Sequence, residues 1–495
     1  VRFRRHGFAR FRAESGLACN VFVSEALRHR LSPNPLRDGG TVLGLVMNPR
    51  NITRLGGIAL TSALLAGVAA PAFAGSFYVQ EQSTRGQGRA NAGVGADKGV
   101  QSLWWNPAAI AGTQRELYVG AHGLILDSDV DDRGSSLTYN VPVTGVGVIS
   151  NTEAVNGDPH VHDVVESGIV PNFAVSMPIG DRFNVGLAVQ APYNFTTKYE
   201  PTDFARYDAL TSELRSANVS LVAAMQVTDW LDVGAGFDAQ YAKATLSSAL
   251  PNVPVPAVLS PAYVIDPATD GRNQLEGDGW DYGWNAGAQM HFGKLDLGLS
   301  YRSEIEHELE GSVNISGLTG LLAGANVSTD GAATFTTPWY ATVSARYAVN
   351  DRLTLNAQVN QIGWSEFDAI RVAYTGGGST IVQDYDDVTT GAIGFDYMID
   401  PTMTVRAGIG YDPTPTPDDH RTARIPDGDR WLYAAGLSKT MGNMTFDGAV
   451  TYIDIDTATI NDTRDLYGNG LVVSALRGEA KGSGVGFSLG ATWNF

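Results

Sequence analysis

Val485-Gly486-Phe487-Ser488-Leu489-Gly490-Ala491-Thr492-Trp493-Asn494-Phe495 closes the sequence with an apolar residue at every odd position and a small or polar residue at every even one. Strict period-2 alternation over this length predicts a strand with one apolar and one polar face. The run stops on an aromatic, with no polar tail after it. A strand that turns one side to lipid and the other to a polar lumen accounts for both features. The expectation is therefore an all-β fold, a transmembrane antiparallel β-barrel.

The same pattern recurs upstream. Leu231, Val233, Ala235, Phe237, Ala239 and Tyr241 interleave with Asp232, Gly234, Gly236, Asp238 and Gln240, and Leu295–Arg302 and Leu353–Asn360 behave alike. Aspartate and glutamine on the polar face suit a wet lumen and would be costly in a dry core. Alternating runs predict about 14 strands, near 115–126, 166–178, 182–199, 217–228, 230–246, 280–293, 294–311, 333–349, 351–367, 386–398, 402–412, 429–439, 443–455 and 482–495, an even number as single-chain barrels require. Tight turns such as Pro178–Asp181, Thr228-Asp229, Asn350-Asp351 and Met441–Asn443 alternate with long polar loops at 127–165, 247–279 and 456–481. Short turns on one side and long loops on the other match the periplasmic and extracellular ends of such barrels. A β-sandwich would not explain this asymmetry together with the terminal aromatic.

The N-terminal part reads as an export signal. Basic Met47–Arg54, apolar Ile58–Ala70 and the A-x-A site Ala72-Phe73-Ala74 predict a signal peptide over 47–74, with Gly75 following the cleavage point. Residues 1–46 read as an over-extended gene model. Residues 1–74 hold ten of the 34 basic and three of the 52 acidic residues, so the remaining 421 carry a net charge of −25. That charge excludes a nucleic-acid partner, which demands a basic surface. The single cysteine, Cys19, falls before the cleavage point, leaving no thiol chemistry and no disulfides. Asp127–Gly134 departs from a calcium loop at Asp132 and Thr138. His160 and His162 have no third histidine nearby to complete a metal site. No G-x-S-x-G elbow is present. No enzyme, no metal and no cofactor are expected.

Residues 75–114 are rich in glycine and small polar residues and break the strand pattern. A barrel of this size is too wide for its own side chains to fill, so the segment predicts a plug within the lumen (domains 75–114 and 115–495). A periplasmic tail is the competing reading, which composition leaves open. In the third strand, Val185, Leu187 and Val189 alternate until Gln190-Ala191-Pro192-Tyr193-Asn194 interrupts them. Proline removes a ladder donor, so either the wall opens locally or the strand ends there.

Gly86-Gln-Gly88-Arg89-Ala90 and Trp105-Asn106-Pro107-Ala108-Ala109 resemble the N-terminal hatch of the FadL family of outer-membrane transporters for hydrophobic compounds. Asp278–Gly287, Leu299–Glu304, Gly363–Phe367, Ala407–Asp412 and Arg421…Arg430 resemble successive elements of that family in the right order, so the resemblance covers essentially all of 74–495. It implies a monomeric fourteen-stranded barrel in outer-membrane lipid. Hatch residues would include Gly75, Ser76, Phe77, Asn106, Pro107 and Ala108, and a lateral opening would lie in the third strand at Gln190, Ala191, Pro192 and Tyr193. Phe195–Tyr199 continues in the family's register, which favours the opening. The implied cargo is a hydrophobic small molecule, long-chain fatty acids first, moving without an energy source. Where fatty-acid-transporting relatives carry basic residues near the pocket, this chain has Ser247 and Asp384. Either another base serves, Lys243 being nearest in sequence, or the cargo is less often a carboxylate. Candidate pocket residues are Phe77, Lys243 and Ser247. Neutral aromatic hydrocarbons of the toluene type are the alternative cargo, and a general diffusion porin or an adhesion barrel the alternative classes.

Overall fold

The computed structural model describes residues 76–260 and 262–495. The expected gene-model extension, the signal peptide and Gly75 lie outside them. Fourteen antiparallel strands form a closed barrel. The first five are β1 Glu116–Asp132, β2 Gly168–Ile179, β3 Phe183–Gln190 continued by Asn194–Lys198, β4 Thr211–Thr228 and β5 Leu231–Leu250. Then follow β6 Gly271–Phe292, β7 Leu295–Arg302 with Ile305–Ser316, β8 Val327–Thr337 with Trp339–Ala348, β9 Leu353–Gly363 and β10 Val388–Asp400. The last four are β11 Met403–Asp412, β12 Arg430–Met441, β13 Met444–Asp465 and β14 Val472–Asn494. Each strand pairs with its neighbours in sequence. The barrel closes where β1 meets β14 in unbroken register from Glu116↔Asn494 to Asp132↔Gly478, so the seam itself leaves no sheet edge unpaired.

Alternation sets the two faces. On β14, Val485, Phe487 and Trp493 point outward and Leu489 is 72% exposed, whereas Ser488 between them is 2% exposed. The buried polar set on other strands (Asn218, Asp238, Gln289, Gln358 and Asp447 among them) faces the interior. Above this zone the sign reverses: Ile460, Leu476 and Ala480 are buried while Thr459 and Asn461 are exposed. The stretch 456–481, read from the sequence as a loop, is therefore largely strand, and 247–279 is strand at both ends (247–250 and 271–279), because paired strands continue beyond the lipid with apolar residues turned in and polar ones out. The stretch 127–165 likewise contains an extra hairpin, Ser136–Val143 paired with Gly147–Ala154.

Residues 76–114 form one short helix, Thr84–Gln87, and three 3₁₀ turns, the last being Pro107–Ile110. Their bonds reach strands around the circumference. Thr84 Oγ1 meets Tyr118 OH at 3.0 Å on β1, Gly112 N donates to Asn184 Oδ1 at 3.0 Å on β3, and Asn106 Nδ2 donates to Ala288 O at 3.0 Å on β6. Gly95 N donates to Gln358 on β9 at 3.1 Å and Gln101 Nε2 to Asp447 on β13 at 2.7 Å. Glycines on the wall allow this approach: a Cβ at Gly408 would stand 2.2 Å from the Arg89 carbonyl oxygen.

Candidate functional site

The ladder of β3 breaks at Ala191-Pro192-Tyr193. Gln190 pairs with Asn218, and pairing resumes at Asn194 opposite Arg215, so three residues of β3 oppose two of β4. On the other side, pairing with β2 stops at Phe173↔Val189. It closes again above, where Glu166 N donates to Thr196 O at 3.0 Å and Lys198 N to Val164 O at 2.9 Å. Proline supplies no N–H here and bends the strand away from its neighbour.

The freed groups bond to the N-terminal segment. Val79 N donates to Pro192 O at 2.7 Å and Asn194 N to Phe77 O at 3.2 Å. Gln82 Nε2 reaches Ala191 O at 3.3 Å, while Tyr193 N turns to β4 and donates to Ser216 Oγ at 2.9 Å. Buried backbone polar groups must be paired, and residues 77–82 provide the partner that β2 does not. Gln190, Ala191 and Tyr193 are all buried in consequence.

Phe77 is the residue on which the break and an apolar cavity converge. Its ring lies edge-on to Trp364 at 4.9 Å and to Phe367 at 5.0 Å between centroids, with Tyr193 at 5.8 Å and Phe195 at 5.9 Å. Above it opens a cavity of about 690 Å³, measured out to its mouth, walled by Phe77, Phe195, Leu214, Leu309, Phe335 and Ile425. That lining suits a small apolar molecule. The charged residues on this lining are Glu213 and Glu276, and Glu213 is paired with Arg215 at 2.7 Å. The next residue, Tyr78, faces a second, more polar cavity of about 510 Å³.

Of the other expected residues, Ser76 donates its backbone N–H to Asp427 Oδ2 at 3.1 Å. Asn106 caps Pro107–Ile110 by accepting from Ala108 N at 3.0 Å, and donates to Gly95 O at 2.8 Å. Lys243 and Ser247 do not line the cavity. Lys243 is exposed on the outer face, where alternation puts it with Phe237. Ser247 is buried, with its Oγ accepting from Thr211 N at 3.1 Å. Asp384 is 73% exposed, 3.9 Å from His420.

Sequence reading did not assign Trp364, Phe367, Tyr385, Ile425 or Asp427 to the site, although four of these five sit in quoted motifs. The connection 413–429 is the reason: it turns inward, with Tyr199 OH donating to Ala423 O and Thr197 Oγ1 to Arg424 O, both at 2.9 Å.

A buried ion network ties the N-terminal segment to the wall. Arg89 contacts Asp97 at 2.6 Å and Asp396 at 3.2 Å, and Arg346 and Arg406 reach Asp396 at 3.1 and 2.7 Å. Burial alone would raise the Asp97 carboxyl, but Arg346, Arg85 and Arg89 around it hold it well below the usual range. Among the described residues no group of three His, Cys, Asp or Glu side chains could hold a metal ion. His160 and His162 each bond a carboxylate, Asp131 at 2.9 Å and Asp129 at 2.7 Å.

Residues 65–495 match the family described as "Outer membrane protein transport protein (OMPP1/FadL/TodX)". The chain is 29% identical to a long-chain fatty acid transport protein of Escherichia coli O6:H1, over 86% of this chain and 94% of that protein. It shares its fold with the crystal structure of a Pseudomonas aeruginosa FadL homologue (TM-score 0.73, 24% identity, 85% and 100% of the two chains). A Pseudomonas putida toluene transporter, TodX, superposes with TM-score 0.59 at 16% identity, over 85% and 100% of the two chains.

Proposed function

The chain belongs to the outer-membrane transport family OMPP1/FadL/TodX, and from that premise we propose that it takes up long-chain fatty acids by passive diffusion through a plugged barrel with a sideways exit. The protein resides in the outer membrane and its family moves hydrophobic compounds. The observation that carries the proposal is the position of Phe77, one face on the apolar cavity and its backbone bonded to the broken third strand.

Cargo entering from the long-loop end would settle in the cavity, displace residues 76–82 from β3, and leave between β2 and β3 into the bilayer. An apolar chain gains about 0.8 kcal/mol for each methylene kept out of water, which a path down through the short turns would forfeit. Residues 76–114 act in this reading as the plug that closes the lumen to ions and sugars, which sets the protein apart from a general diffusion porin. One protomer suffices, since cavity, plug and break all belong to one chain.

A second cargo is favoured by one observation: among the described residues no cation lines the apolar cavity. Neutral aromatic hydrocarbons would use the same route. Growth of a strain lacking the protein decides between them. We expect loss of growth on oleate as sole carbon source with growth on toluene unchanged; the reverse result would overturn fatty acids as cargo.

A further inference from the structure

The wall carries a second break in its ladder, between β6 and β7. Pairing runs from Arg272↔Ser316 to Asp278↔Glu310 and resumes only at Asn285↔Arg302, so seven steps along β6 answer eight along β7. Each strand stays paired on its far side, Gly279–Trp284 with β5 and Ile305–Leu309 with β8. A bulge explains the odd count, and with it the switch of apolar residues from the outer to the inner face of β7. It does not require the whole stretch Gly279–Trp284 to lose its partners. The strands still touch, since a Cβ at Gly279 would press on Glu308 O. Side chains close the seam. Asp281 Oδ2 accepts from Glu308 N at 3.3 Å and lies 3.1 Å from His307 Nδ1, and His307 Nε2 is 2.9 Å from Gln240 Oε1. Below them Ser303 N donates to Trp284 O at 2.9 Å. Buried backbone groups need partners, and a carboxylate serves here where the N-terminal segment serves β3.

The two sides of this seam differ in a telling way. Inside it abuts the apolar cavity: Gly277, just above the seam, and Leu309, within it, both line that cavity. The buried His307 ring stacks at 5.1 Å on Phe335, another lining residue. Outside, Trp280 and Tyr282 are 45% and 63% exposed, and amphipathic rings of this kind sit at the boundary of the apolar layer. Glu306 and Glu308 are exposed on β7 beside them, while the exposed cation Lys243 faces Asp278 above. An uncharged apolar molecule dissolved in the outer leaflet can gather on the rings. A carboxylate would meet two like charges outside the seam and Asp281 within it.

We propose that this seam is a side entrance for neutral hydrophobic molecules, which part β6 from β7 and pass from the outer leaflet into the apolar cavity, with Asp281 and His307 as its latch. This rests on the cavity being a cargo site, as proposed above. The register Asp278↔Glu310, carried two residues further, places Trp280 opposite Glu308. The single cysteine, Cys19, precedes the expected cleavage point, so a disulfide between Trp280→Cys and Glu308→Cys would fix the closed seam with no competing thiol. The test is uptake of radiolabelled dodecane and oleate at pH 8 by cells carrying this double variant, with folding checked by heat-modifiable migration. In the oxidised variant dodecane uptake should fall to the background of cells lacking the protein and return with dithiothreitol, while oleate keeps its wild-type rate. Asp281→Ala, which frees the latch without any cross-link, should take up dodecane faster than wild type. Dodecane uptake at the wild-type rate in the cross-linked protein, an equal loss of oleate uptake, or an Asp281→Ala rate no higher than wild type overturns the entrance. If cells lacking the protein take up dodecane and oleate as fast as wild type, the cargo-site reading itself fails.

Discussion

Val79 donates its amide to the carbonyl of Pro192 across 2.7 Å, so the N-terminal segment serves as the neighbour that the third strand lacks. The arrangement makes the break tolerable and, in the proposed route, reversible. A closed barrel cannot leave backbone groups unpaired in the membrane, yet a partner held by a few bonds and one aromatic ring can be displaced.

Phe77 is that ring. Its replacement by alanine removes the contacts with Trp364 and Phe367, at a cost of about 3 kcal/mol for a buried phenylalanine. Amide exchange at Val79 and Asn194 should then accelerate roughly a hundredfold, with the β1–β14 ladder unaffected. Unchanged exchange at Val79 would show that the ring does not hold the segment.

Deleting 76–114 from the exported protein should turn a nearly silent channel into a conducting one, because the segment bonds to strands around the circumference, β1, β6, β9 and β13 among them. Planar-bilayer conductance checks this. A deletion variant that stays silent would remove the plug from the account.

Arg89 joins Asp97 of the segment to Asp396 of the wall. Arg89→Met would leave two buried carboxylates short of a partner, a change that costs about 3–5 kcal/mol in comparable sites. Residues 84–112 should become cleavable by protease in barrels that remain folded. Continued resistance would place the anchoring elsewhere.

The pH dependence of this anchor follows from Asp97, whose carboxyl is held below its ordinary value. A group depressed on docking adds stability that is present above the free pKa of about 3.9 and is lost as pH falls through the docked value. Protease resistance of 84–112 should thus be the same at pH 7 and pH 5 and decline only in stronger acid. Loosening already at pH 5–6 would contradict this assignment.

The strands were legible because lipid imposes alternation: Val485, Phe487, Leu489 and Trp493 face outward in the structure as their spacing predicts. The signal failed where lipid ends. Ile460 and Leu476 turn inward there and polar residues outward, so the period persists but its sense inverts and the stretch reads as loop. Pro192 marked the break by chemistry alone. The cavity was hidden for another reason: Phe77, Leu214, Phe335, Phe367 and Ile425 come from distant parts of the chain, and Lys243, chosen for its charge, is on the outer face by strand parity.

The central claim is that cargo leaves through the break in β3, and Ala191 is the place to test it. The residue is buried at the break, and its carbonyl accepts from Gln82 Nε2 and from Asn194 Nδ2 at 3.1 Å. An indole at this position would fill the passage between β2 and β3 without touching the plug's ion network. Oleate uptake by cells carrying Ala191→Trp, with barrel folding verified by heat-modifiable migration, is the most direct measurement. Uptake at the background of cells lacking the protein is the predicted result; uptake at the wild-type level in a folded variant would contradict the sideways exit.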